Sequence, residues 1–347
     1  MITKIKTTLL FLTTLLLLNL NSFSVNSANL DAWKLKASKE KELVVHGRWE
    51  ENTLWKELYF EFKKDYPNIT IKYERKGLKQ NIKSIVTFKQ TEKFTTDVFI
   101  GFTDYLDILY KENHLEDLSD IPEYTQIRNE HRGVNNKWAS YSVKAWCAVY
   151  NTNKFKKNEL PKDLNLFLEY VKRNNKLILV NNKEKVYSSF LNKYSKNTVE
   201  NIMDNVFSTK PYKTTSGISK SFSLLSLGEF DFILFMGVDN IERYKKTGMP
   251  IEKHCFSEIP LTATPIAIIK NSEAKYSAKL FVNWILSSKG QKLIYKIDGR
   301  LPVRKNELLN NYLNSNSEFL FRSWKTYIED ETFLDEEWSK RFYQIKK

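Results

Sequence analysis

The first apolar run, Leu9 to Leu20, is broken only by Thr13, Thr14 and Asn19. Lys4 and Lys6 stand before it, and the small and polar residues Ser24 to Ala28 follow it. A positive head, a short apolar middle and a small-residue end make up a secretory leader, and the run is shorter than the roughly 20 residues that cross a bilayer. The pattern predicts a leader over residues 1–28, cut after Ser27 or Ala28; the alternative is an uncleaved anchor. No cysteine stands at the cut, so a lipid anchor is not expected there. No second long apolar run follows, and the mature chain is expected to be soluble.

Beyond the leader, two periods alternate. Leu43 to His46 reads as a buried strand; Leu54, Leu58 and Phe62 recur at helical spacing until Pro67-Asn68; Ile69 to Tyr73 alternates as a half-buried strand does. The same reading gives strands at 97–100, 176–180, 230–235 and 265–269, and a long β-rich stretch from Trp138 to Tyr150. Helices are expected at 105–112, 164–171, 187–194 and 278–285, with a polar helical end from Asn306 on. Strands alternating with helices predict an α/β chain with a largely parallel sheet in each of two domains.

Composition refines this. The chain has 347 residues and a formal net charge of +14. A basic surface suits nucleic acid, an anionic membrane face or an anionic small ligand. Export and the even spread of Lys along the chain argue against nucleic acid, and a Lys-rich background composition accounts for the charge equally well. The two cysteines, Cys147 and Cys255, could form a bridge in an oxidising compartment or remain two buried thiols. The four histidines, His46, His114, His131 and His254, show no metal-ligand spacing.

Taken in order, the segments resemble the bacterial extracellular solute-binding proteins of the iron(III)-type group, the receptors of ABC importers. The likeness is carried by the first strand and helix ending Tyr66-Pro67-Asn68, and by Asp97-Val-Phe-Ile-Gly101. It continues through Lys137-Trp138 to Tyr150-Asn151-Thr152, Leu160-Pro161 and Leu227-Gly-Glu-Phe-Asp231. Most specific are Ala278 to Gln291, with Ile285-Leu-Ser-Ser-Lys-Gly-Gln291, and Arg300-Leu-Pro-Val-Arg304. The resemblance implies a type II periplasmic-binding fold, two α/β lobes joined by two crossing strands with a solute held between them. It implies lobe 1 over 29–148 plus 262–347, carrying the C-terminal helices, and lobe 2 over 149–261. It also implies a monomer that hands its solute to an inner-membrane permease, without a cofactor. The leader, with no lipidated cysteine, points to the periplasm.

Such a fold presents strand C-termini and helix N-termini to the cleft. That rule selects Arg48 and Trp49 after the first strand, Gly101 and Thr103 after the third, and Tyr187, Ser188 and Ser189 at a helix start. It also selects Asp239 after the strand at 230–235, and Tyr141, with Trp146, near the first crossing. Each has an ordinary alternative: ion pair, helix cap or core aromatic. The turn Thr214 to Gly217 is expected to cap the next helix. Iron-binding members of the group use two adjacent tyrosines, and this sequence has none; His46 is the one metal candidate. The hydroxyl-rich helix starts and Arg48 favour an organic anion, such as a sugar phosphate or phosphonate, over ferric iron. A secreted hydrolase or a surface interaction protein remain as other classes. No nucleophile elbow or phosphate-cradling glycine loop is present, and Ser216-Gly217 lacks the preceding glycine.

Overall fold

A computed structural model describes residues 29–47, 54–75, 83, 85, 96–101, 103–181, 184–209, 212–215, 217–313, 316–321 and 324–342. The leader region, Arg48, Trp49 and Ser216 lie outside the described residues. After a helical stretch over 29–37, strand β1 (Leu43–Gly47) leads into the helix Leu54–Asp65 and strand β2 (Ile71–Arg75). The helix buries Leu54, Trp55, Leu58 and Phe62, and Phe62 packs edge-on against Phe281 and Trp284 of the helix Lys275–Leu286. β1 pairs in parallel with β2 and with β3 (Val98–Ile100).

Asp97, just ahead of β3, ties this half together. Its carboxylate accepts from the Val44 amide at 2.7 Å, the Ser272 hydroxyl at 2.6 Å and the Ala274 amide at 3.4 Å. Burial nevertheless raises its pKa, more than these donors lower it.

Two long strands join the halves. β4 (Ala139–Asn151) pairs antiparallel with β9 (Glu258–Ile268) over Ala139 to Ala145. From Trp146 on, its partners become β7 (Phe232–Gly237) and β8 (Ile251–His254). β7 continues in parallel through β5 (Ile178–Asn181) to β6 (Tyr212–Thr215). The strand order is β2-β1-β3-β9-β4-β7-β5-β6, with β8 on β4 and β10 (Glu318–Phe321) on β9. Parallel strands on either side of two antiparallel crossing strands make two α/β lobes. Cys147 and Cys255 form a disulfide at the β4–β8 edge, which selects the bridge over the two buried thiols.

Several elements differ from the sequence reading. The stretch 184–192 is a 3-10 helix, and the helices Lys196–Phe207 and Val238–Lys245 have no counterpart in it. The region after Asn306 is not simply helical: it contains β10 before the helix Trp324–Phe342. The apolar stripe of its end packs on the second lobe. Leu320, Leu334, Trp338 and Phe342 pack in the apolar cluster formed by Trp146, Ile178, Tyr187, Met203 and Phe232 of the second lobe. The reason is a narrow stripe at i, i+4 spacing, whose Trp338 ring lies against Tyr187 and Phe207.

Candidate functional site

The two faces of β4 have different neighbours. Ala139, Tyr141, Val143, Ala145, Cys147 and Val149 all enter one large apolar core. On the other face Trp138 belongs to a small core of the first lobe, and Trp146, Ala148 and Tyr150 belong to the core of the second. Between these two cores, at the alternate positions of the same face, stand Ser140, Ser142 and Lys144. On β9, Thr264 is paired with Ser142 and Thr262 with Lys144. The Trp146 indole N–H donates to Thr262 Oγ1 at 2.9 Å, and Lys144 Nζ lies 5.6 Å from the centre of the Trp146 ring. Ser140 and Ser142 are fully buried, and the Ser140 hydroxyl has no hydrogen-bond partner among the described residues. A polar stretch between two apolar cores, at the point where the strand changes sheets, is the candidate floor of a solute site.

Charge is balanced beside this floor. Lys144 Nζ lies 2.7 Å from Asp239, in the first turn of the helix that follows β7. Arg300 Nε lies 2.6 Å from Asp298 and 3.8 Å from Asp239, and its Nη1 donates to the Tyr141 hydroxyl at 2.7 Å. Burial by itself would raise the Asp239 carboxyl, but Lys144 and Arg300 outweigh it and hold the pKa below the usual range. Burial would likewise lower Arg300, and Tyr141, Asp298 and Asp239 reverse this. The network holds two cations and two carboxylates. A Cβ on Gly237 would fall 2.4 Å from Asp239 Oδ1 and 2.8 Å from Lys144 Cδ, so any side chain there would have to displace the ion pair.

Most residues selected from the sequence are engaged elsewhere. Tyr141 is fully buried on the large-core face of β4, and burial pushes its phenol up to about 12. It therefore does not line the floor. Tyr187 packs against Phe235 and Trp338, with its hydroxyl buried. The hydroxyl of Ser188 donates to the Lys185 carbonyl and that of Ser189 to the Leu261 carbonyl, each at 2.7 Å. These three tie the 3-10 helix to its own turn, to β9 and to the core. Asp239 stands at the floor, but as the counter-ion of Lys144. Gly101 is buried at the end of β3 and its amide faces the Pro265 carbonyl at 3.4 Å. Thr103 begins the helix Thr103–Lys111. In the hydroxyl-rich turn, Thr214 and Thr215 belong to β6, and Gly217 stands at the N-cap of the helix Ile218–Ser226. His46 is sealed in the core, with Nε2 2.9 Å from Glu74 and Nδ1 bonded to the Thr96 hydroxyl. Among the described residues no three His, Cys, Asp or Glu side chains are grouped to hold a metal.

Ser140, Ser142, Lys144, Thr262 and Thr264 make up a candidate surface that sequence reasoning did not select. Their signal was present: a period-2 row of two serines and a lysine between Trp138 and Trp146. Such a row reads as the solvent face of an ordinary strand until both its ends are known to be buried.

The architecture has close counterparts among solved structures. Iron-bound HitA from Pseudomonas aeruginosa is 20% identical, with a TM-score of 0.61 over 77% of this chain and 87% of that one. The ferric binding protein from Campylobacter jejuni is 16% identical, with a TM-score of 0.68 over 86% and 99%. AfuA from Actinobacillus pleuropneumoniae, a periplasmic binding protein with exogenous fructose-6-phosphate bound, is 16% identical, with a TM-score of 0.65 over 87% and 98%. At these identities the likeness concerns the fold. No curated protein sequence matches the chain. The family profile of the bacterial extracellular solute-binding proteins, however, matches residues 57–320, and the chain belongs to that family.

Proposed function

We propose that the chain is the periplasmic receptor of an ABC importer and that it captures a small organic anion, a sugar phosphate or phosphonate, between its lobes. The observation that carries this reading is the hydroxyl row of buried Ser140, Ser142 and Thr264 and half-buried Thr262 beside Lys144, with an unpartnered Ser140 hydroxyl among the described residues. Hydroxyls and an ammonium offer hydrogen-bond donors to phosphoryl oxygens, and a charged acceptor strengthens each such bond. The Trp146 ring beside Lys144 gives the carbon skeleton of a sugar an apolar surface. Closure needs no bond chemistry, only a higher affinity of the solute for the closed lobes than for the open ones. The bound lobes would be read by an inner-membrane permease, and a monomer suffices for that.

One observation favours the anion over ferric iron: His46, the metal candidate of the sequence, is engaged by Glu74 and Thr96. The test is a calorimetric and thermal-shift screen of sugar phosphates, alkyl phosphonates, ferric citrate and polyamines. A solute at one hundred times its Kd raises stability by about 2.7 kcal/mol. Lys144→Met is expected to weaken a phosphorylated solute at least tenfold. A response to ferric iron alone, with a charge-transfer band, would overturn the anion reading.

A further inference from the structure

The end of the chain lies past the family match, which stops at residue 320, and it runs between the lobes. β10 pairs in parallel with Glu258 to Leu261 of β9, so it heads toward the first lobe. Ser317 Oγ donates to the Phe256 carbonyl at 2.7 Å, and Lys193 pairs with both Glu258 and Glu318. At the far end of β10, the Phe321 ring meets His131 of the first lobe edge-on at 4.5 Å. The helix Trp324–Phe342 then touches the helix Thr103–Lys111 of the first lobe, and it lies along the 3-10 helix 184–192 and the helix Lys196–Phe207 of the second. Its second-lobe contacts are extensive. Leu334, Trp338 and Phe342 enter the second core. Lys196 pairs with Asp330 at 2.7 Å, Lys185 with Glu331 at 3.6 Å and Arg341 with Asp204.

We propose that β10 and the C-terminal helix form a strap that spans the cleft and restrains the lobes from opening. Two crossing strands alone leave a hinge that bends at a few residues. A third connection, fixed by apolar burial in one lobe and by contacts to a helix and His131 in the other, adds a cost to opening. Opening must then break the first-lobe contacts of the strap or pull its stripe from the second core. The consequence is a receptor biased toward closure, with slow entry and slow release of its solute. The inference rests on the two-lobe architecture and not on the solute, because its readout is made without any solute.

The test places spin labels at Ile108→Cys and Leu166→Cys in the full chain, one on each lobe. Both positions are exposed, at 43% and 56%, and the two native cysteines are bridged. The interlobe distance distribution is then measured in the parent, in Trp338→Ala and in Arg341→Glu. The first removes the ring that docks the strap. The second opposes Asp204 and Glu337 with a like charge and opens no cavity. A strap predicts a longer and broader distribution in both variants. If Trp338→Ala does not fold, Arg341→Glu decides. A distribution that stays at the parent's in the folded variants overturns the proposal.

Discussion

Acidification is expected to act on this protein through His131. The side chain is buried at the foot of β10, with its ring against Phe321 and Nδ1 unpartnered. Burial, reinforced by the nearby Arg128 cation, lowers its pKa from 6.5 to about 3. The folded chain therefore keeps this imidazole neutral where the unfolded chain binds a proton. Stability from this group is complete above the unfolded pKa and is lost as pH falls through the interval from about 6.5 to about 3. Between pH 7.5 and pH 5.0 the loss is about 2 kcal/mol, since each unit below the unfolded pKa costs about 1.4 kcal/mol. His254, also lowered by burial, acts in the same direction, so the parent alone cannot isolate the effect. The assay is urea unfolding at the two pH values for the parent and for His131→Gln. The variant should lose about 2 kcal/mol less than the parent over this interval. Equal losses in the two proteins would show that His131 is not held neutral by its site, and the reasoning from burial would fail.

Asp239→Asn should destabilise the chain by about 3–5 kcal/mol, because it leaves Lys144 and Arg300 without their shared carboxylate. Adding Lys144→Met should recover part of that loss in a double-mutant cycle, and strictly additive effects would argue against the pairing. Replacing both Cys147 and Cys255 by Ala opens a loop with a sequence separation of 108. The chain-entropy estimate for a loop of that size is about 4–5 kcal/mol, readable as a lower urea midpoint, and an unchanged midpoint would count against the bridge. Asp97→Ala should cost about 3 kcal/mol or more, since it leaves the Val44 and Ala274 amides and the Ser272 hydroxyl without their acceptor; a thermal melt near the parent's would contradict that.

The legible parts of the fold were those in which one segment carries its own pattern. Leu54, Leu58 and Phe62 mark a buried helical stripe by spacing alone, and they do bury it. The thirteen-residue β4 was readable as β-rich because aromatics and β-branched residues run through it. The C-terminal helix was harder. Leu334, Trp338 and Phe342 stand four apart among charged residues, and nothing local says which lobe receives the stripe. The serines chosen at a helix start are engaged for a related reason. A serine at a helix start bonds to nearby carbonyls as readily as to a ligand, and Ser188 bonds within its own turn.

The floor shows what kind of information was missing. Ser140 and Ser142 are small hydroxyl residues on a strand, and by local pattern they belong on a solvated face. They become informative because Trp138 before them and Trp146 after them, on the same face, lie in two different cores. A strand can pass between cores in that way only if it leaves one lobe and enters another, and the stretch between must face the gap. Burying hydroxyls and an ammonium there carries a desolvation cost. Asp239 offsets part of it by pairing with Lys144, while the Ser140 hydroxyl has no such partner among the described residues. A stability-driven sequence would fill that gap with apolar side chains. That this one keeps donors in it is a reason, independent of any relative, to place the solute on the crossing strands.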